Sequence, residues 1–227
     1  MKTIRIIGIA HALLMSVCFS ACSSDDENGY GPDSRDKLLV KIGSQYSISY
    51  DELGRVTKSK HDTFTYGDNS ITEYGSDGKM ICTYQVENGR IVSQTNNNGK
   101  TYDFVYDNDG YLVDCGTCSF KWSDGNLVEL YYSGDKKVRE ITYTDIPWPK
   151  HFFMYEYNPN IPDIIPFAGM GYLGKSPKNL PSEIFVKPAV SSYYYYFDWE
   201  IKNGYPVRVD IYLDQNRSGG WHEYTWQ

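Results

Sequence analysis

After residue 21 the sequence has no apolar run long enough to cross a bilayer as a helix. It also has no stretch in which apolar residues recur at helical spacing. Both absences argue against a helical bundle. Positive charge is thin: 22 Lys and Arg stand against 29 Asp and Glu, a net charge of −7. No Lys/Arg stripe occurs, so nucleic acid is excluded as a partner held by phosphate charge. Histidine is limited to His11, His61, His151 and His222, and no Gly-x-Ser-x-Gly elbow, His-Glu-x-x-His pair or phosphate loop is present. Cysteine occurs only as Cys18, Cys22, Cys82, Cys115 and Cys118, without the paired spacings of a zinc site. Asp107-Asn108-Asp109-Gly110 begins like a calcium loop but lacks the ligand-spaced Glu, so it reads as a turn. Acids are plentiful, yet no spacing singles out the carboxylate pair of a glycosidase. No catalytic residue, metal ligand or cofactor is assigned.

The first 21 residues read as a leader. Met1-Lys2-Thr3-Ile4-Arg5 is basic, the stretch from Ile6 to Phe19 is mostly apolar, and Phe19-Ser20-Ala21-Cys22 resembles the lipobox of lipoprotein signal peptides. Phe19 replaces the usual Leu, and Val17 is too large for Cys18 to be the cleavage-site cysteine. On this reading Cys22 is the mature N-terminus and carries acyl chains, palmitate among them, that hold the protein on a membrane. The other reading is an ordinary secretory signal with an incidental cysteine. Cleavage removes Lys2 and Arg5, taking the net charge from −7 to −9. Residues 22–36 are too polar to fold and read as an acidic tether. Ser23-Ser24-Asp25-Asp26-Glu27 resembles the export signal of surface-displayed Bacteroidota lipoproteins, which places the domain outside the outer membrane. A plain solvated linker would leave it facing the periplasm.

Tyrosine is what the chain has in excess, at 22 of 227 residues. It suits sheets with one dry and one wet face, and also recognition surfaces. A unit recurs in Tyr50-Asp51-Glu52-Leu53-Gly54-Arg55-Val56, Val86–Val92, Tyr106–Leu112, Trp122–Val128 and Lys202–Val207: strand end, tight turn, strand start. Asn-Gly and Asp-Gly pairs tolerate the positive φ of such turns, and the flanks alternate apolar and polar. Gaps of two to five residues are too short for helical crossovers, so neighbouring strands must be antiparallel. The sequence therefore predicts one all-β domain over 37–227, an antiparallel meander of many hairpins, curved or barrel-like. In 193–201, alternation assigns Tyr193, Tyr195, Phe197, Trp199 and Ile201 to the core and Tyr194, Tyr196, Asp198 and Glu200 to a wet face.

One insertion, rich in Pro and aromatics, interrupts the meander at 145–182, with prolines that disfavour strands and room for a short helix around Asp163–Phe167. It reads either as a plug over the sheet or as a site. For the second reading the ligand-binding candidates are Trp148, Tyr155, Tyr157 and Tyr172, with Tyr194 and Tyr196 on the sheet side. Cys115-Gly116-Thr117-Cys118 reads as a two-residue hairpin turn whose cysteines are candidates for a small disulfide in an oxidising envelope, in preference to a redox or metal motif.

The lipobox, the acidic tether, the Tyr-Asp-x-x-Gly-Arg hairpins and Gly174-Lys175-Ser176-Pro177-Lys178-Asn179-Leu180-Pro181 together resemble a family of Bacteroidota lipoproteins, domain-of-unknown-function family 4595. The hairpin motif is shared with YD repeats, and the later segment is the more specific. The resemblance implies an all-β, barrel-like fold and no activity. The function expected is non-catalytic binding of a glycan or protein partner at the cell surface. The alternatives are a structural envelope protein facing the periplasm and, third, a hydrolase of unknown substrate.

Overall fold

The computed structural model describes residues 37–44, 46–132, 136–154, 165–187, 192–213 and 218–227. The leader, the tether, and with them Cys22, lie outside that set. Within it, the turn signals separate 17 strands. The first group is β1 (Leu39–Ile42), β2 (Tyr46–Tyr50), β3 (Val56–Ser59), β4 (Asp62–Tyr66), β5 (Ser70–Tyr74), β6 (Met80–Glu87), β7 (Arg90–Asn96), β8 (Thr101–Asp103) and β9 (Val105–Tyr106). The second is β10 (Leu112–Asp114), β11 (Cys118–Ser123), β12 (Asn126–Tyr132) and β13 (Lys136–Pro147). After a one-turn helix α1 (Ile165–Ala168) come β14 (Asn179–Val186), β15 (Tyr193–Lys202), β16 (Tyr205–Leu213) and β17 (Ser218–Trp226).

Each strand pairs antiparallel with its sequence neighbour, and β8 and β9 are one strand broken at the buried Phe104. The last strand returns to the first, with Leu39 opposite Trp226 and Ile42 opposite Tyr224. The meander thus forms a nearly closed barrel. Alternation then decides which side of the wall is dry. Phe64, Ile71, Tyr84, Ile91, Leu130, Ile184 and Val209 point inward and are buried. Thr63, Thr65, Gln85, Asp198 and Glu200 point outward and are exposed.

The recurring turn unit builds a repeated device. In the first copy Asp51 Oδ1 accepts from the N–H groups of Leu53 and Arg55, and Gly54 takes φ +74°. Val56 follows, buried, and Thr57 is an extra residue opposite β2, a bulge. The bulge turns the Val56 carbonyl out of the ladder. Tyr66, at the end of the next strand, donates its hydroxyl to that carbonyl at 2.7 Å, and the Arg55 guanidinium lies 4.4 Å from the Tyr66 ring centroid. The same arrangement joins Tyr50 to Leu39, Tyr106 to Ile91, Trp122 to Leu112, Tyr143 to Leu127, Trp199 to Pro181 and Trp226 to Pro206, each ring donor lying 2.6–2.8 Å from a carbonyl that precedes a bulge. Strand parity puts all seven at one end of the barrel, where they form an aromatic girdle. Burial holds the phenols of Tyr50, Tyr66 and Tyr106 above their ordinary range, so they remain donors.

The insertion is narrower than its prolines imply. β13 continues to Pro147 and β14 begins at Asn179, because Pro147 and Pro181 sit at register shifts, where a missing N–H interrupts no ladder bond. Part of the described chain between them enters the barrel, while Lys150, Lys175 and Lys178 stay exposed. Phe152, Phe153, Met154 and Phe167 are at most 2% exposed. Phe152 packs on Tyr224, Trp199 and Trp226, while Phe167 packs edge-on against Phe64 and Tyr84. Gly174 ties the returning chain to the wall: it pairs with Tyr111, takes φ +79°, and any Cβ there would lie 2.4 Å from the Gly110 carbonyl oxygen.

Replacing one girdle donor leaves a part-buried carbonyl without its partner. Tyr66→Phe and Trp226→Phe are each expected to destabilise by about 1–3 kcal/mol. Tyr102→Phe, which removes no hydrogen bond to a described residue, is expected to stay within about 0.5 kcal/mol. Urea unfolding of the three variants is the check; equal losses would remove the girdle's role.

Candidate functional site

The structure separates the residues singled out for binding. Trp148 donates its indole N–H to the Phe152 carbonyl at 3.1 Å and packs on the Phe152 ring, so it belongs to the plug. Tyr172 is half-buried against Phe167 and Tyr66, and its carbonyl accepts from the Ile91 N–H at 2.8 Å. Tyr194 and Tyr196 stack on each other on the outer face of β15, beside Phe185. Trp148 and this tyrosine pair therefore lie on opposite sides of the wall and share no site. Tyr155 and Tyr157 lie outside the described residues.

Two buried polar clusters follow from the strand register. Cys115 and Cys118 close a two-residue turn, with the Cys115 N–H bonded to the Cys118 carbonyl at 2.9 Å and Gly116 at φ +76°. Both are buried thiols in the structure. Their mutual hydrogen bond pulls the Cys115 thiol below its ordinary range and pushes Cys118 above it. On β5 and β6, the fully buried Glu73 accepts from the Tyr84 hydroxyl at 2.6 Å and from the Cys82 thiol at 3.2 Å. Burial is the main cause that pushes the Cys82 thiol up to about 12, and it also raises Tyr84. This pairing occupies the β5–β6 hairpin, which has no girdle bond of its own. Among the described residues no group of His, Cys, Asp and Glu could hold a metal ion.

A groove that the sequence did not announce opens at the end opposite the girdle. It has a volume of about 600 Å³ and lies where the β1–β2 and β3–β4 turns meet β17. Lys41, Tyr46, Lys60, Trp221, His222 and Glu223 line it, beside the backbone of Gly43 and Ser44. The Gly43 N–H bonds the Glu223 carbonyl at 2.7 Å, and the Lys60 N–H bonds the Ser47 carbonyl at 2.8 Å, which fixes both turns against the wall. Lys60 takes φ +55°, a turn conformation. Trp221 is 52% exposed, and the Arg208 guanidinium lies 4.9 Å from its ring centroid. Asp210 holds Arg208 through two hydrogen bonds to Oδ1, at 3.0 and 2.6 Å. Nothing in the spacing of the sequence joins Lys41 and Lys60 to Trp221 and His222; only closure of β17 on β1 does.

The placement of the aromatics sets different costs for losing them. Phe152→Ala is expected to destabilise by about 3–5 kcal/mol, as for a buried aromatic. Tyr194→Ala, on the outer wall, is expected to change stability by less than about 1 kcal/mol. Thermal melts of both variants test the assignment of plug and surface.

Two crystal structures share the fold. One is of a porin-like protein from Bacteroides vulgatus ATCC 8482, with TM-score 0.57, 12% identity, and 83% of this chain and 98% of that chain covered. The other is of a porin-like protein from Bacteroides uniformis ATCC 8492, with TM-score 0.55, 17% identity, and 84% and 94% covered. Identities this low speak to the fold alone. No curated protein matches the chain. The family described as a domain of unknown function (DUF4595) with porin-like fold matches residues 40–206. The chain belongs to that family.

Proposed function

We propose that the protein is a lipid-anchored binding protein of the outer membrane whose barrel stands in water and conducts nothing. The observation that carries this reading is the polarity of the wall. A membrane-spanning barrel turns an apolar band outward and keeps a polar lumen. Here the outward positions hold Thr63, Thr65, Gln85, Asp198 and Glu200, and the interior is filled by Phe152, Phe153, Met154 and Phe167. Strands β1 to β5 have only four or five residues each, whereas a spanning strand needs about 9–11. A domain of this kind reaches a membrane through an anchor, and the lipobox at Cys22 supplies one. The acidic run after Cys22 supports display at the cell surface. The groove and the outer tyrosine pair supply surfaces for a glycan or a protein partner. Glu223 is the one carboxylate among the described residues of the groove, and hydrolysis by a carboxylate pair needs two. That supports recognition over catalysis.

In a Bacteroidota host the chain is expected to incorporate labelled palmitate, and Cys22→Ala to abolish the label. Protease added to intact cells is expected to degrade the domain. Unlabelled wild-type protein would refute the anchor. Protection until lysis would refute surface display and favour a structural role facing the periplasm.

The Cys115–Cys118 turn is proposed to close as a disulfide in the envelope. Residues paired by hydrogen bonds across antiparallel strands have Cα atoms about 5.5 Å apart, inside the range that a disulfide spans. The two thiols would lose two electrons and two protons to a disulfide-bearing oxidant of the envelope. Of the three domain cysteines, Cys82, Cys115 and Cys118, only Cys82 is then expected to titrate with Ellman's reagent in denatured, unreduced protein. Three thiols before reduction would overturn the pairing.

A further inference from the structure

We propose that the groove between β1, the β3–β4 turn and β17 is a binding site for an anionic saccharide, a pyranose that carries a carboxylate or a sulfate. Trp221 is the stacking platform, and Lys41 and Lys60 hold the anion. This rests on the binding reading above and names its ligand chemistry.

Four of the five tryptophans, Trp122, Trp148, Trp199 and Trp226, donate their indole N–H to a backbone carbonyl. Trp221 makes no hydrogen bond to any described residue and is also the most exposed of the five. Its side chain is nevertheless held, because Arg208 covers the ring and Asp210 fixes Arg208. A flat indole, positioned in advance and open to solvent, offers a pyranose an apolar face to bury and a donor for a ring or hydroxyl oxygen.

The charge of the groove opposes that of the chain. The protein has a net charge of −7, yet Lys41 and Lys60 converge on this cavity and neither forms an ion pair with a described residue. Two cations left unneutralised against a single lining carboxylate, Glu223, favour an anion, and charge-assisted hydrogen bonds to a carboxylate or sulfate are the strong kind. Glu223 in turn accepts from sugar hydroxyls. A bare phosphate would use the lysines but leave the indole and most of the roughly 600 Å³ unfilled.

Titration calorimetry of the purified full-length protein is the test, with trigalacturonic acid, a sulfated galactose trisaccharide and neutral galactotriose as probes. At least one charged trisaccharide is expected to bind at least tenfold more tightly than the neutral one, with affinity falling as salt rises. Trp221→Ala and the double variant Lys41→Gln/Lys60→Gln, all at exposed positions, are each expected to lose at least tenfold in affinity with unchanged melting temperatures. Equal binding of the neutral sugar, or undiminished binding by the variants, overturns the proposal. So does silence with all three sugars. In that last case a ligand found for the same protein on a glycan array or in a pull-down would leave the broader binding role standing.

Discussion

A hydrogen bond from an aromatic ring to a backbone carbonyl, made seven times around one rim, is what the barrel depends on. Each bulge supplies the local twist and bend that let a sheet curl, and each leaves a carbonyl outside the ladder. Buried, that group would cost free energy unless paired. Tyr and Trp meet the need from the adjacent strand while their rings fill the space beneath it. Curvature, satisfaction of the backbone and packing of the rim thus come from one side chain at a time. The tyrosine surplus finds part of its explanation here.

The interior follows from the girdle. A barrel of this size built from short strands encloses more space than its wall residues fill, and the insertion fills it with Phe152, Phe153, Met154 and Phe167. The lumen is therefore a hydrophobic core. The dry side of the wall faces inward. At the end away from the girdle, Lys41, Lys60 and Trp221 line one groove.

Much of the architecture was legible in the chain. Asp51, Gly54 and Arg55 announce a hairpin, and alternation in 193–201 assigns its two faces correctly, because turn chemistry and period-two patterning are local. Closure was not legible: Leu39 against Trp226 is a contact between chain ends, and no local signal encodes it. The groove depends on that contact and was invisible for the same reason. Trp148 and Tyr172 stood out as candidates for recognition, since an aromatic that caps a plug and one that meets a ligand look alike in sequence. Pro147 and Pro181 suggested a wider break than exists, because a bulge excuses the N–H that proline lacks.

Pairing of β1 with β17 also sets an order of events. A sheet that closes only when its final strand arrives has two open edges until then, and long-range closure of this kind is slow. A chain that emerges N-terminus first shows the edge of β1 throughout. That strand has four residues, LVKI, with a register shift between Leu39 and Lys41. So short a strand is a poor template for pairing with another molecule. The feature that completes the barrel thus also guards the unfinished chain against aggregation while it waits.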